Sequence, residues 1–140
     1  MLPLAQRLNL QPADVLIAPK SAFNFVKHMI VYWGRDTTGQ DFYLENNPKT
    51  GVRWLTAEQL EMQYQIIAIK KFTGTQMERA LAIQRGISQL GAQYNLTSCN
   101  CEHYANYVQT GSSFSKQSSN GVKLGLLALG ITVLISASKG

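Results

Sequence analysis

Cysteine is nearly absent: the chain carries two, Cys99 and Cys101, and one intervening residue is a poor spacing for a mutual disulfide. A disulfide-stapled secreted scaffold is thereby disfavoured and a reducing compartment favoured. Charge is scarce as well, at 15% of residues, with 13 Lys and Arg against 8 Asp and Glu spread along the chain rather than gathered. A net charge of +5 without a basic stripe interleaved with aromatics speaks against nucleic acid and for an anionic membrane surface. Gly-rich phosphate loops, serine nucleophile elbows, paired acid/base carboxylates in a short motif and internal repeats are missing, so no cofactor is expected. The segment Met1–Leu8 lacks a basic region followed by a sustained apolar core, so no secretory signal is expected.

What is there fits one domain: 140 residues at 45% apolar content bury a real core but do not support two. Residues 1–13 read as an arm or short helix. Asp14 to Ala18 is a compact apolar run closed by Pro19, and His28 to Trp33 is a β-branched and aromatic run stopping at Gly34. A polar cluster, Arg35 to Gln40, joins it to Asp41–Glu45 as a β-hairpin, and a second turn at 46–51 leads to Val52–Leu55. Thr56 with Gln59, and Thr75 with Glu78, have capping-box spacing and start two helices. Between these helices Tyr64–Ile69 suits another strand, which would complete an antiparallel meander. In the second helix, Gln76 to Leu90, the stripe Met77, Ala80, Leu81, Gln84, Ile87 and Leu90 is expected to face the core.

Tyr104, Ala105, Tyr107 and Val108 recur at helical spacing just after Cys101, which puts that thiol in the first turn of a helix. There the unpaired N–H groups and the positive end of the dipole favour thiolate, the reactive form. Without its flanking residues Cys101 would be read more plainly as a buried structural cysteine. Cys99 lies outside that turn and reads as a bystander. Cys99, Cys101, His103 and His28 could supply four zinc ligands, but Cys-x-Cys-x-His lacks the two-to-four-residue gaps of structural sites, and no metal is expected.

The run from Tyr94 to Tyr104, and within it Asn100-Cys101-Glu102-His103-Tyr104, resembles the Asn-Cys-Glu-His-Phe nucleophile signature of the lecithin:retinol acyltransferase family and its H-Ras-like suppressor relatives, with Tyr104 in place of Phe. Lys27 to Gly34, containing His28, is similar to the family's base-bearing strand and glycine turn, and the resemblance runs from about Gln11 to Lys116. It implies an α+β, permuted papain-like (NlpC-related) fold in which the histidine strand precedes the cysteine helix. The antiparallel sheet would pack against helices. It also implies that Cys101 is the nucleophile.

Such chemistry needs a base and a polar group that fixes the base's ring. His103 follows Cys101 by two residues on the same helix and cannot face it. His28 takes the role by elimination, and His103 reads as a structural hydrogen-bonding group. If the hairpin turns about Asp36-Thr37, Glu45 lies directly across from His28 on the same face and is the candidate third group. A one-residue asymmetry would promote Asn46, and Gln40 is a weaker alternative within the turn. The family usually carries a second histidine at this point, and this sequence has none.

Gly111 to Asn120 is rich in Gly, Ser and Gln and reads as a linker, so the catalytic domain is placed at 1–111, the linker at 112–120 and a hydrophobic helix at 121–138. Between Gly121 and Ser138 the only charge is Lys123. At about 1.5 Å per residue the segment spans roughly 27 Å, just short of a ~30 Å bilayer core, and snorkelling of Lys123 closes the gap. The H-Ras-like suppressor relatives carry a similar anchor. The rival reading is a buried helix closing the domain. Lys116 and Lys123 place the domain on the cytoplasmic side of the membrane.

Together these readings point to a membrane-tethered thiol acyltransferase or phospholipase A-like enzyme with a glycerophospholipid acyl donor. Two rivals stand beside it. One is an NlpC-like cysteine peptidase or amidase; the other is a non-catalytic lipid-binding or assembly subunit docked by its tail into a membrane complex.

Overall fold

The structure, a computed structural model, describes residues 1–19, 27–95 and 100–112. In chain order these form α1 (Leu4–Arg7), β1 (Val15–Pro19), β2 (Lys27–Arg35), β3 (Asp41–Asn47), β4 (Gly51–Thr56), α2 (Ala57–Gln63), β5 (Ala68–Lys70), α3 (Gln76–Ser88) and α4 (Cys101–Thr110). The strands make one five-stranded sheet of order β4-β3-β2-β1-β5 with every pairing antiparallel. The fold is thus α+β, with an antiparallel sheet between helices.

Both faces of the sheet are apolar, and strand alternation supplies a core to each. On one face Val15, Val31, Leu44 and Val52 meet Ala82 of α3 and Tyr104, Ala105 and Val108 of α4. On the other Leu16, Ile30, Tyr32, Tyr43 and Leu55 meet Ala5 of α1 and Leu60 of α2. Both expected capping boxes form: Thr56 Oγ1 accepts from the Gln59 N–H at 3.2 Å, and Thr75 Oγ1 from the Glu78 N–H at 3.1 Å. Asp14, fully buried, accepts from the N–H groups of Gln11 and Phe72 at 2.9 Å and from Lys71 Nζ at 3.0 Å, tying β1 to the chain between β5 and α3.

Three features differ from the sequence reading. First, β2 does not stop at Gly34. It continues to Arg35 through a bulge between Tyr32 and Gly34, and Gly34 takes the φ of +138° that a side chain would resist. Second, Tyr64–Ile67 is not a strand. The chain leaves α2 and returns to the outer edge of β1, where Ile67 N–H donates to Ile17 O at 2.8 Å and only Ala68–Lys70 pairs, so the meander closes on the far edge of the sheet.

Third, α3 presents a different face. Met77 and Leu81 of the expected stripe are 75% and 50% exposed, whereas Ala82 and Gly86 are buried. Close approach to α4 selects the small residues: a Cβ on Gly86 would lie 3.2 Å from the Tyr104 hydroxyl and 3.3 Å from Leu44 and Val108. Arg85 turns inward beside them, donating through Nη2 to Val108 O at 2.7 Å and through Nε to Tyr107 O at 3.1 Å, which satisfies carbonyls at the end of α4. Among the described residues no helix is long and apolar enough to cross a membrane. The expected linker, apart from Ser112, and the expected hydrophobic helix at 121–138 lie outside the described residues.

Candidate active site

The motif around Cys101 is a helix start built from its own side chains. Asn100 is the N-cap of α4: its Oδ1 accepts from the His103 N–H at 2.9 Å, and its own N–H donates to His103 Nδ1 at 3.2 Å. A histidine thus takes the place that Glu or Gln usually fills in a capping box. Because Nδ1 accepts, it carries no proton, and burial pushes the His103 pKa down against the opposing charge of Glu102. His103 therefore shapes the helix start, and Cys101 becomes the first helical residue.

Cys101 is 4% exposed, and its Sγ lies 3.5 Å from the carbonyl of Lys27, the residue before His28. Asn46 donates through Nδ2 to Asn100 O at 3.3 Å, so the third-group alternative Asn46 ties β3 to the start of the helix that opens at Cys101. Gln40 sits at the far end of the hairpin, its N–H given to Asp36 Oδ1. Cys99 lies outside the described residues.

His28 and Glu45 meet, but not as directly opposed partners. Glu45 is opposite Ile30, so the register is offset by two residues from the expected one. The hairpin loop is centred later than Asp36-Thr37: Asp36 Oδ1 gathers the N–H groups of Thr38 and Gln40 at 2.9 and 3.0 Å, and Gly39 takes φ +87°. An offset of two keeps both side chains on one face, and they meet diagonally. His28 Nε2 lies 2.6 Å from Glu45 Oε1, both residues being buried. With Nε2 donating to an ionised carboxylate, Nδ1 is the ring nitrogen left for the Cys101 thiol, with which His28 also hydrogen-bonds.

Two further residues complete the network. The Tyr64 hydroxyl donates to Glu45 Oε1 at 2.7 Å while its ring stacks on His28, centroids 4.8 Å apart and planes 24° off parallel. Arg53 Nε donates to Glu45 Oε2 at 2.7 Å. Burial opposes ionisation of Glu45, but the hydrogen bonds from His28, Tyr64 and Arg53 outweigh it and bring the carboxyl down to about 2. Burial likewise lowers the His28 pKa, and the hydrogen bonds and charges of Cys101 and Glu45 override it, so that the net direction is upward. An imidazole so placed stays titratable and holds its proton more firmly than a free histidine.

Sequence reasoning missed Arg53 and Tyr64. Arg53 was legible, because the turn ending at Gly51 puts it directly opposite Glu45 on the neighbouring strand, an opposite-charge cross-strand pair. Tyr64 was not: its position follows from where α2 ends, and assignment to a strand concealed it. A groove of about 600 Å³ opens beside His28 and Tyr64, with Arg53, Lys49 and Gln63 on its wall. Among the described residues no group of three His, Cys, Asp or Glu side chains is arranged to hold a metal.

Replacing Asn100 by alanine removes half of the capping box. It should cost about 1 kcal/mol of stability in thermal unfolding and slow alkylation of Cys101 by iodoacetamide, since the first turn of α4 then frays.

A family model described as Lecithin retinol acyltransferase matches residues 11–114, a span that includes His28, Glu45 and Cys101. No curated protein matches the chain, and no solved structure does. The match covers most of the sequence and takes in the sheet together with the helix that starts at Cys101, and on that basis this chain belongs to the lecithin retinol acyltransferase family.

Proposed function

We propose that the protein is a membrane-associated thiol acyltransferase or phospholipase A-like enzyme on a permuted papain-like fold, acting on glycerophospholipid esters through a thioester on Cys101. The observation that carries this reading is the chain of contacts from Cys101 to His28 to Glu45, with 2.6 Å between the last two. The Cys101 thiolate attacks the ester carbonyl, the C–O bond breaks, and His28 gives its proton to the departing lysophospholipid alkoxide. In the second half His28 takes a proton from an amine, an alcohol or water as that acceptor attacks the thioester, and the thiolate leaves. Glu45 fixes the tautomer and carries the imidazolium charge. A non-catalytic subunit has no use for a buried, ionised glutamate on a histidine beside a thiol, which favours the catalytic reading.

Family membership supports acyl chemistry, and the groove beside His28 offers room for an ester. Incubation of the full chain with phosphatidylcholine vesicles should release lysophospholipid. Failure of the parent to release more than a Cys101→Ala variant would overturn the proposal.

The segment 121–138 is the proposed membrane anchor, holding the domain on the cytoplasmic side at its insoluble substrate. Deleting 121–138 should move the protein from the membrane pellet to the supernatant without lowering its melting temperature. An insoluble or melted truncation would show instead that the segment is part of the core.

A further inference from the structure

Glu45 is fully buried, and its two oxygens are engaged differently. Oε1 accepts from His28 and Tyr64, while Oε2 takes Arg53 Nε at 2.7 Å, with Asn47 Nδ2 further off at 3.5 Å. The β3–β4 register sets Arg53 directly opposite Glu45, and Arg53 Nη2 donates to Gln63 Oε1 at 3.3 Å, which holds the guanidinium from its outer side.

A carboxylate buried alone against an imidazole stabilises the imidazolium strongly, and a base that cannot release its proton cannot complete an acyl-transfer cycle. We infer that Arg53 is a positioning residue of the site: by neutralising Glu45 it lets the carboxylate orient His28 without locking it in the charged form. With His28 protonated and Cys101 ionised, the four groups Arg53, Glu45, His28 and Cys101 carry no net charge. Without Arg53 the same state carries an excess negative charge in a buried place.

Among the described residues the other groups around His28 do not supply this compensation. From α4 come Cys101 itself and, next along the helix, Glu102; Tyr64 contributes a neutral hydroxyl; Lys49 lines the groove, but the ion pairs of Glu45 are with His28 and Arg53. On β1 the residues paired with this part of β2 are Ala18 and Pro19, which have no charge.

The inference rests on the acyl-transfer reading for its purpose, and its test does not need acyl transfer to occur. The full chain has two histidines, so the His28 ring can be titrated by NMR with labelled histidine, His103 serving as the second signal, alongside the pH dependence of Cys101 alkylation by iodoacetamide. Glu45→Gln leaves Arg53 uncompensated and should lower the His28 titration midpoint by about one unit. Arg53→Met leaves Glu45 uncompensated and should raise it by about one unit. The double variant, with neither charge, should return to within about half a unit of the parent, and the upper limb of the alkylation profile should move in the same order. Arg53→Lys keeps the charge and should titrate like the parent even where its melting temperature falls, which separates charge from packing. The inference is overturned if Arg53→Met leaves the midpoint where it was, or if the double variant titrates like Glu45→Gln alone. A parent that follows this pattern yet releases no lysophospholipid would count against the acyl-transfer reading and not against Arg53.

Discussion

Cys101→Ala is expected to abolish lysophospholipid release and to leave the fold in place. The variant removes the only atom proposed to bond to the acyl group, and losing a covalent nucleophile costs roughly 10⁴-fold or more in rate, leaving only what binding and orientation contribute. The fold should survive because the capping box of α4 is made by Asn100 and His103, not by the side chain between them. The missing sulfur vacates a small volume near the Lys27 carbonyl, worth about 1 kcal/mol in thermal unfolding. Cys99→Ser should keep both activity and stability. If Cys99→Ser were as inactive as Cys101→Ala, the nucleophile would be misassigned.

Glu45→Ala is expected to have the largest effect on stability of any substitution in the site. Three close donors, with Asn47 Nδ2 further off, converge on a carboxylate with no exposure, and removing it strands the Tyr64 hydroxyl, the Arg53 guanidinium and the His28 ring, two of which are charged or chargeable. Breaking a buried charged network by deleting one member costs about 3–5 kcal/mol. Acid should reveal the same network in the parent. The folded carboxyl titrates at about 2 against an ordinary 4.5, so its stabilising contribution, on the order of 3 kcal/mol, is complete above pH 4.5 and is lost as pH falls from there toward 2. Asp14 and Asp41, whose pKa values are also held down by their hydrogen bonds despite burial, lose theirs in the same direction. Glu45→Gln should therefore flatten, though not abolish, the acid limb of the stability profile. His28 acts on the opposite side. Its pKa is raised, so its contribution is complete below pH 6.5 and fades as pH rises through the folded value. An acid limb in Glu45→Gln as steep as the parent's would show that the carboxylate is not the titrating group.

Local signals in this chain carried well, and those depending on how elements meet did not. Thr56 and Thr75 each announce a helix start, and both caps form because the bonds involved lie within four residues; the Asn100 cap of α4 is seen only in the structure. The sequence places His28 and Glu45 on one face of a hairpin, and the structure shifts the register between them by two residues. The slip came from Asp36 reorganising the loop and from the bulge before Gly34, and it did no harm because an even offset preserves the face.

The buried face of α3 departs from the apolar stripe for a different reason. Met77 and Leu81 are more apolar than Arg79 and Gly86, yet the tight crossing of α4 and the carbonyls awaiting Arg79 and Arg85 decide which face turns inward. Tyr64 shows the same limit at the site itself, since a residue that enters by leaving a helix has no periodicity to betray it. The family match covers the strand and helix that carry His28 and Cys101, and this sequence departs from the usual second histidine by placing Glu45 on His28.

The most direct test of the central claim is the intact mass of the full chain after incubation with phosphatidylcholine vesicles of a single acyl composition, followed by hydroxylamine. The account predicts one added acyl chain on the parent, removed by hydroxylamine as a thioester is, mapped to Cys101 and absent from Cys101→Ser. No adduct on the parent while Cys101 still reacts with iodoacetamide, or an adduct that maps to Cys99 or survives hydroxylamine, would contradict it.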